Sequence, residues 1–189
     1  MPDSIDTLSI RPATTDDIPI LKRLIPESVR ALRHGFYSEA EAESAIKYVF
    51  GVDTQLVSDG TYFVAVDGEQ LVACGGWSWR RTMYGGDQRP MGAGNLLDPA
   101  VDAARIRAFF VAGTHARRGI GEMLLHACAE AANAKGFSRL ELMSTLPGVP
   151  FYAKLGFMEV ESVVDTLPDG TGVGFVRMTR AVHLSGELS

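Results

Sequence analysis

Apolar positions along this chain repeat with two different periods, and the period changes from one segment to the next. Two segments near the beginning have the spacing of three to four residues that an amphipathic helix requires. The first starts at Thr15, where a hydroxyl and two carboxylates suit the first helical turn, and it is interrupted at Pro26. The second starts at Ser38 and ends near Phe50. Both predict helices, and an alternating segment at residues 7–12 predicts a strand before them.

The next part of the chain has the shorter period expected of strands. Residues 61–66 and 70–79 are rich in apolar positions, and Asp67-Gly68 between them is typical of a tight hairpin turn. Trp77 and Trp79 stand two residues apart and share one face of the second strand. We interpret them as packing residues in preference to the wall of a substrate site.

Residues 82–103 interrupt this pattern, because glycine and proline dominate there. Loops of this length inside compact domains are usually functional or disordered. We predict a mobile loop that lies over the neighbouring site, with a disordered surface insertion as the alternative.

The remaining residues alternate between strands and helices. The expected elements are a central strand at 104–111, a helix at 119–135, a strand at 140–144, a short helix at 150–155 and a final hairpin of residues 157–166 and 173–179. Strict alternation would place Arg105, Arg107 and Phe109 on one face of the central strand. We also expect His126 to be a packing residue on the inner face of the long helix.

Composition describes an ordinary globular chain. Its 189 residues are 46% hydrophobic and 22% charged, which predicts one domain spanning 1–189 with a loose tail at 184–189. The net charge is −5, so bulk charge gives no support to nucleic-acid binding. Cys74 and Cys128 stand far apart in apolar surroundings, and we expect buried free thiols.

No pair of histidines or cysteines has the spacing of a metal site, so we expect no bound metal. The polar, acidic start of the chain (residues 1–4) is unlike a signal peptide, and no apolar run reaches the length of a membrane span. We therefore expect a cytoplasmic protein that does not bind a membrane. Nothing in the sequence decides whether it forms a homodimer.

The junction between the central strand and the long helix carries the clearest chemistry. Gly119 and Gly121 stand at the predicted start of the helix, where backbone N–H groups have no intrahelical partner, and Arg117 and Arg118 add positive charge. These features predict a site for a phosphate or pyrophosphate group. The pair of glycines alone is a weak signal, because Leu124 occupies the place of the third glycine in a dinucleotide-binding loop.

A second motif, Phe151-Tyr152-Ala153-Lys154-Leu155-Gly156-Phe157, follows one strand later. Together the two motifs and the order of elements resemble the GNAT family of N-acetyltransferases, from about Leu8 to Met178. The resemblance implies an α/β (α+β) fold, with a mixed, mostly antiparallel twisted sheet of six to seven strands flanked by about four helices. It also implies acetyl-CoA as the cosubstrate.

The resemblance also assigns individual residues. The family's pyrophosphate signature, Gln/Arg-x-x-Gly-x-Gly/Ala, falls on residues 116–121, and Ala116 departs from it at the first position. The implied cofactor-binding residues are Phe109 and Val111 along the pantetheine arm, with the Val111 N–H on the thioester carbonyl, and Arg117, Arg118, Gly119, Ile120 and Gly121 at the pyrophosphate. Tyr152 matches the tyrosine that protonates the leaving thiolate, a role we favour over simple packing.

The implied activity is transfer of an acetyl group to a primary amine of a small molecule or peptide, by direct attack in a ternary complex. Neither cysteine lies in a motif that would activate it as an acetyl carrier. The general base stays open between Glu141, Tyr84, Asp98 and a chain of water molecules. Two alternatives also stay open: a non-catalytic acyl-CoA-binding module on the same fold, and a protein that binds ATP through the glycine loop.

Overall fold

The computed structural model describes residues 8–89 and 95–182, and within them the chain forms seven strands and five α-helices. The predicted strand residue Thr7, part of the predicted loop (90–94) and the predicted tail (184–189) lie outside the described residues. The elements are β1 (Leu8–Pro12), α1 (Ile18–Leu32), α2 (Glu39–Tyr48), α3 (Thr54–Asp59), β2 (Tyr62–Asp67), β3 (Gln70–Ser78), β4 (Ala104–Val111), α4 (Ile120–Ala134), β5 (Arg139–Thr145), α5 (Val149–Lys154), β6 (Met158–Thr166) and β7 (Gly172–Ala181).

The strands form one sheet in the order β1-β2-β3-β4-β5-β7-β6. All neighbouring pairs are antiparallel except β4 and β5, which are parallel. The predicted fold class, a mixed and mostly antiparallel sheet flanked by helices, is therefore confirmed. In the described residues β4 and β5 pair at two positions, Ala104 with Leu140 and Arg105 with Glu141. Beyond these positions the two strands diverge and leave a gap.

Local sequence explains the helices on one side of the sheet. α1 runs through Pro26 without ending there, because its buried face continues on both sides of the proline with Leu21 and Ser28. Ser38 and Glu41 form a capping box at the start of α2. Sequence periodicity did not indicate α3, which has six residues and begins where the Asp53 carboxylate accepts hydrogen bonds from two backbone N–H groups.

Strict alternation along β4 proved wrong, because the strand carries a β-bulge. Cys74 of β3 pairs with Phe110, and Gly76 pairs with Arg107, so Ala108 and Phe109 together stand opposite one residue. Ala108 has a φ of +56°. Consequently Phe109 packs on the same face of the sheet as Ile106, against residues of α4. Arg107 points to the opposite face, where it pairs with Asp53.

Apolar layers cover both faces of the sheet. Phe110 and Phe175 pack under α1, α2 and α3 on one face, and residues of α4 and α5 pack on the other. Trp77 and Trp79 belong to the second layer with ring centroids 5.3 Å apart, which confirms that they share a face and pack. His126 was placed wrongly: its side chain is 52% exposed on α4, beside Glu130.

In the described part of the chain, no helix has the length and apolar character needed to span a membrane.

Candidate functional site

The divergence of β4 from β5 exposes part of the β4 backbone to the gap. The Ala112 N–H donates to the Val72 carbonyl at 2.8 Å, while Val111 stands opposite Ala73. Hydrogen-bonded and non-hydrogen-bonded pairs alternate along an antiparallel ladder. Because Ala112 bonds to Val72, the next pair, Val111 with Ala73, is non-hydrogen-bonded, and the Val111 N–H and C=O point away from β3. The Val111 carbonyl accepts the Ser28 hydroxyl at 2.6 Å.

The amino terminus of α4 lies at the end of this strand. Arg117 and Gly119 adopt left-handed conformations with φ values of +62° and +79°, and Gly119 is the N-cap residue. The N-cap supplies no side-chain acceptor to the first helical turn. The N–H groups at this end of the helix are therefore available to an anion. The buried Ile120 side chain fixes the end of the helix against β2 and β3.

Two side chains near this helix end, those of Arg118 and His115, approach the same carboxylate. The Arg118 guanidinium lies 3.6 Å from the Asp67 carboxylate, and His115 lies 3.4 Å from the same carboxylate. Asp67 therefore restrains Arg118 beside the loop. Arg117 is exposed, and Ala116 contributes no polar side chain.

A surface groove of about 560 Å³ begins at this helix end. Its walls include Arg118, Gly119, Glu122 and Met123 from the start of α4, and Leu155 and Arg180 from beyond α5. It joins the predicted anion site to the segment that contains the second motif.

Arg180 is a residue of this groove that sequence reasoning missed. One guanidinium nitrogen donates to the Leu155 carbonyl at 2.6 Å, and the group lies 5.1 Å from the centre of the Phe157 ring. The buried Nε atom has no hydrogen-bond partner. Burial lowers the pKa of Arg180. The sequence carries no local signal for this role, because the register of β7 brings Arg180 to the groove.

Tyr152 lies on α5 and is buried beside the gap. Its ring centroid stands 6.4 Å from that of Phe109 on β4, 4.9 Å from that of Phe151 and 5.5 Å from that of Phe157. Burial raises the pKa of the Tyr152 hydroxyl, and the nearby Cys128 raises it further. The phenol therefore stays protonated at neutral pH and is available as a donor.

The structure separates the three predicted candidates for the general base. Glu141 lies at the foot of the gap, in contact with Arg105 and 2.6 Å from Arg177. Tyr84 donates to Asp165 on β6 at 3.1 Å. The exposed Asp98 accepts the N–H of a neighbouring turn residue. Of the three, Glu141 alone belongs to a strand that borders the gap, and two arginines hold its carboxylate.

Residues 84–89 of the long loop pack across the face of the sheet that carries α1, α2 and α3, whereas Leu97 packs with Trp77 in the layer on the other face. Gly86 and Asp87 donate their N–H groups to backbone carbonyls between α2 and α3, both at 2.9 Å. Arg89 forms an ion pair with Asp165 of β6. The mobility that we predict for residues 82–103 stays a prediction.

Neither cysteine is suited to carry an acyl group. Cys74 and Cys128 are free and buried. Burial raises the pKa of the Cys74 thiol to about 12 and raises that of Cys128 as well. Both groups are therefore protonated thiols at neutral pH and poor nucleophiles.

Known structures share this fold. A GCN5-related N-acetyltransferase from Rhodopseudomonas palustris superposes with a TM-score of 0.69 at 19% identity, covering 93% of this chain and 96% of the other. PaiA N-acetyltransferase from Thermoplasma acidophilum, in complex with coenzyme A, gives 0.61 at 17% identity, with 92% and 98% covered. The ribosomal-protein-S18-alanine N-acetyltransferase from Escherichia coli gives 0.56 at 18% identity, with 95% and 97% covered.

No curated protein sequence matches this chain. The sequence model of the acetyltransferase (GNAT) family matches residues 26–157, which is more than half of the chain. The match includes the central strand, the glycine loop and the second motif, so it covers the segments from which the resemblance was inferred. The chain therefore belongs to the GNAT family of acetyltransferases.

Proposed function

We propose that this protein is an acetyl-CoA-dependent N-acetyltransferase that acetylates a primary amine of a small molecule or peptide by direct attack in a ternary complex. The observation that carries the proposal is the orientation of the β4 backbone. The Val111 N–H points away from β3 toward the side on which β4 and β5 diverge, and Tyr152 borders the same region. An amide donor and a protonated phenol on one side are what thioester cleavage requires.

Each part of the proposed cosubstrate is assigned to one feature of the site. The pyrophosphate binds the N–H groups of Gly119, Ile120 and Gly121, with Arg117 and Arg118 nearby. The pantetheine arm lies along β4 and bonds the backbone of Phe109 and Val111. The groove of about 560 Å³ receives the adenosine end, where Arg180 faces the 3′-phosphate.

The Val111 N–H acts first in the proposed mechanism. As the amine nitrogen bonds to the carbonyl carbon, negative charge develops on the thioester oxygen, and the amide donates a hydrogen bond to it. A fixed donor of this kind contributes roughly 3–4 kcal/mol to transition-state stabilisation. Because the donor belongs to the sheet, its direction is set before the substrate binds.

Tyr152 completes the transfer by giving its proton to sulfur as the carbon–sulfur bond breaks. The proton lost by the amine nitrogen then restores the phenol through solvent, so the two proton transfers balance. Burial raises the pKa of Tyr152, which alone would disfavour donation. Desolvation acts in the same direction on a thiolate, so a coenzyme A sulfur enclosed beside Tyr152 would also be a stronger base.

The proposal includes a cytoplasmic location, since both cysteines are buried free thiols as expected in a reducing compartment. A small-molecule or peptide amine is the proposed partner, and binding of nucleic acid or a membrane is not part of the proposal. A homodimer remains open.

Turnover and ligand binding test this function together. The full chain is incubated with acetyl-CoA and a panel of primary amines, and both free coenzyme A thiol and the N-acetyl product are measured. We expect thiol release that depends on the amine, and thermal stabilisation by coenzyme A but not by ATP. Binding without release for every amine would instead support a non-catalytic acyl-CoA-binding module. Stabilisation by ATP alone would contradict the cofactor assignment.

A further inference from the structure

Ala108 is held in a conformation that alanine rarely adopts. Its φ of +56° lies in the left-handed region, which is unfavourable for a residue other than glycine. Such a residue persists only where the surrounding structure fixes it. Ala108 is also the residue at which the β4 bulge interrupts pairing with β3. The contacts around Ala108 therefore hold this conformation in place.

Two buried side chains hold the Ala108 carbonyl. The Tyr62 hydroxyl donates to it at 3.3 Å, and the Cys74 thiol donates at 3.7 Å. Tyr62 is 1% exposed and Cys74 is fully buried. Burial raises the pKa of both groups, which keeps their protons in place as donors. The bulge carbonyl, removed from the regular ladder, is thus satisfied by side chains of β2 and β3.

The residues on either side of Ala108 are fixed as well. Arg107 forms an ion pair with the buried Asp53 at 2.7 Å and donates to the Gly85 carbonyl at 2.5 Å. On the other side, the Phe109 ring fills the space above Gly75, where a Cβ atom would stand 2.7 Å from the ring. The bulge is therefore constrained at three consecutive residues.

The bulge decides which backbone groups of β4 face the gap. In a strand, a shift of one residue in register turns each N–H to the opposite side. If Ala108 relaxed to an extended conformation, the N–H groups of the residues after it would no longer point to their present sides of the strand. The Val111 N–H would then no longer be fixed in the direction set by the pairing of Val111 with Ala73.

We propose that Tyr62 is a positioning residue: its buried hydroxyl, together with the Cys74 thiol, fixes the bulge at Ala108 and so aims the Val111 amide at the thioester carbonyl. The inference rests on the proposed function, because it assumes that an acyl thioester binds along β4. Tyr62 itself does not contact the reacting atoms.

The test depends on the hydrogen bond from the Val111 N–H to the thioester carbonyl. Acetyl-CoA can accept this bond, whereas coenzyme A has no acyl group and cannot. The full-length Tyr62→Phe variant is titrated by calorimetry with each ligand in the absence of an amine, and kcat is measured. We expect coenzyme A affinity to stay within twofold of wild type, acetyl-CoA affinity to fall about fivefold, and kcat to fall at least tenfold. Tyr37→Phe is the control, because the buried Tyr37 hydroxyl also donates to a backbone carbonyl, that of Gly174 at 2.6 Å, and in addition accepts the Leu146 N–H at 2.9 Å.

A general loss of stability would affect both variants, so melting temperatures are measured alongside. Tyr37→Phe is expected to keep the wild-type preference between the two ligands. If Tyr62→Phe keeps both that preference and kcat, the inference is wrong. If it does not fold, Cys74→Ala tests the same carbonyl with the same measurements.

Failure of the proposed function is visible in the wild-type protein. Wild type that binds neither ligand contradicts the cofactor assignment, and the inference falls with it. Wild type that binds both ligands equally contradicts the inference while leaving the cofactor assignment intact.

Discussion

The Phe151 ring lies against Gly121 so closely that a Cβ atom on Gly121 would stand 2.9 Å from it. This contact joins the first turn of α4 to α5 and so links the proposed pyrophosphate site to the helix that carries Tyr152. Gly121 is thus a glycine for reasons of space. Gly119, by contrast, has no atom within 4 Å of the corresponding position but has a φ of +79°, so its requirement is conformational.

Gly121→Asp is expected to abolish detectable binding of coenzyme A. The new side chain collides with Phe151 and places a negative charge where the pyrophosphate would bind. Gly121→Asn has nearly the same size without the charge and serves as the matched control. Calorimetry at low and high salt separates the two effects, since the electrostatic part is screened. If Gly121→Asp bound coenzyme A like wild type, the pyrophosphate would not lie at this helix end.

Tyr152→Phe is expected to lower kcat about 100-fold and to change coenzyme A affinity by less than twofold, because general acid catalysis contributes on that order and the ring packing survives. Steady-state thiol release and calorimetry provide the two measurements. Tyr37→Phe again controls for the loss of a buried tyrosine hydroxyl. A variant with wild-type kcat would show that Tyr152 only packs against its aromatic neighbours.

Contiguous motifs are the reason that the sequence alone points to a candidate site. The glycine loop and the segment from Phe151 to Phe157 each lie within a few residues, so the sequence displays both directly. Secondary structure then fixes their placement, since one motif starts α4 and the other forms α5. The alternating and apolar segments indicated the individual strands, and the resemblance to the GNAT family implied their arrangement in a mixed sheet of six to seven strands.

Features that depend on tertiary contacts were not predictable. The face on which Phe109 lies was predicted wrongly because the bulge at Ala108 reverses the alternation, and that bulge depends on Tyr62, Cys74 and Gly75. Arg180 stands far along the chain from the glycine loop and reaches the groove through strand pairing alone. In both cases the position of the side chain depends on residues that are distant in the sequence, and the local sequence does not indicate these contacts.

The stability of the protein should fall in acid because of the carboxylate of Asp17, which lies directly before α1. A hydrogen bond from Arg11 lowers the pKa of Asp17, whose two oxygens each lie 2.8 Å from the guanidinium. Because the pKa of Asp17 is lower in the folded than in the unfolded protein, its pairing with Arg11 stabilises the fold fully above about pH 3.8, the unfolded value. This stabilisation is lost as the pH falls through the folded value.

Asp17→Asn removes this titration, so the variant should be less stable than wild type at neutral pH and the difference should shrink below pH 3.8. Urea unfolding followed by circular dichroism between pH 2.5 and pH 7 measures both curves. Glu43→Gln is the comparison, because Glu43 also pairs with an arginine but on the exposed surface. Parallel curves for wild type and Asp17→Asn would contradict the assignment.

Arg180→Gln is expected to weaken binding of coenzyme A about tenfold and to leave binding of 3′-dephospho-coenzyme A unchanged. The guanidinium already bonds the Leu155 carbonyl and packs on Phe157, so it is oriented before any ligand arrives. A charge-assisted hydrogen bond to the 3′-phosphate would therefore cost little ordering and would be lost in the variant. Arg177→Gln is the matched control, because Arg177 lies on the same strand but pairs with Glu141 and Glu161. Calorimetric titration of wild type and both variants with both ligands measures the discrimination. Equal losses for the two ligands in Arg180→Gln would assign Arg180 to the packing of α5 and place the 3′-phosphate elsewhere.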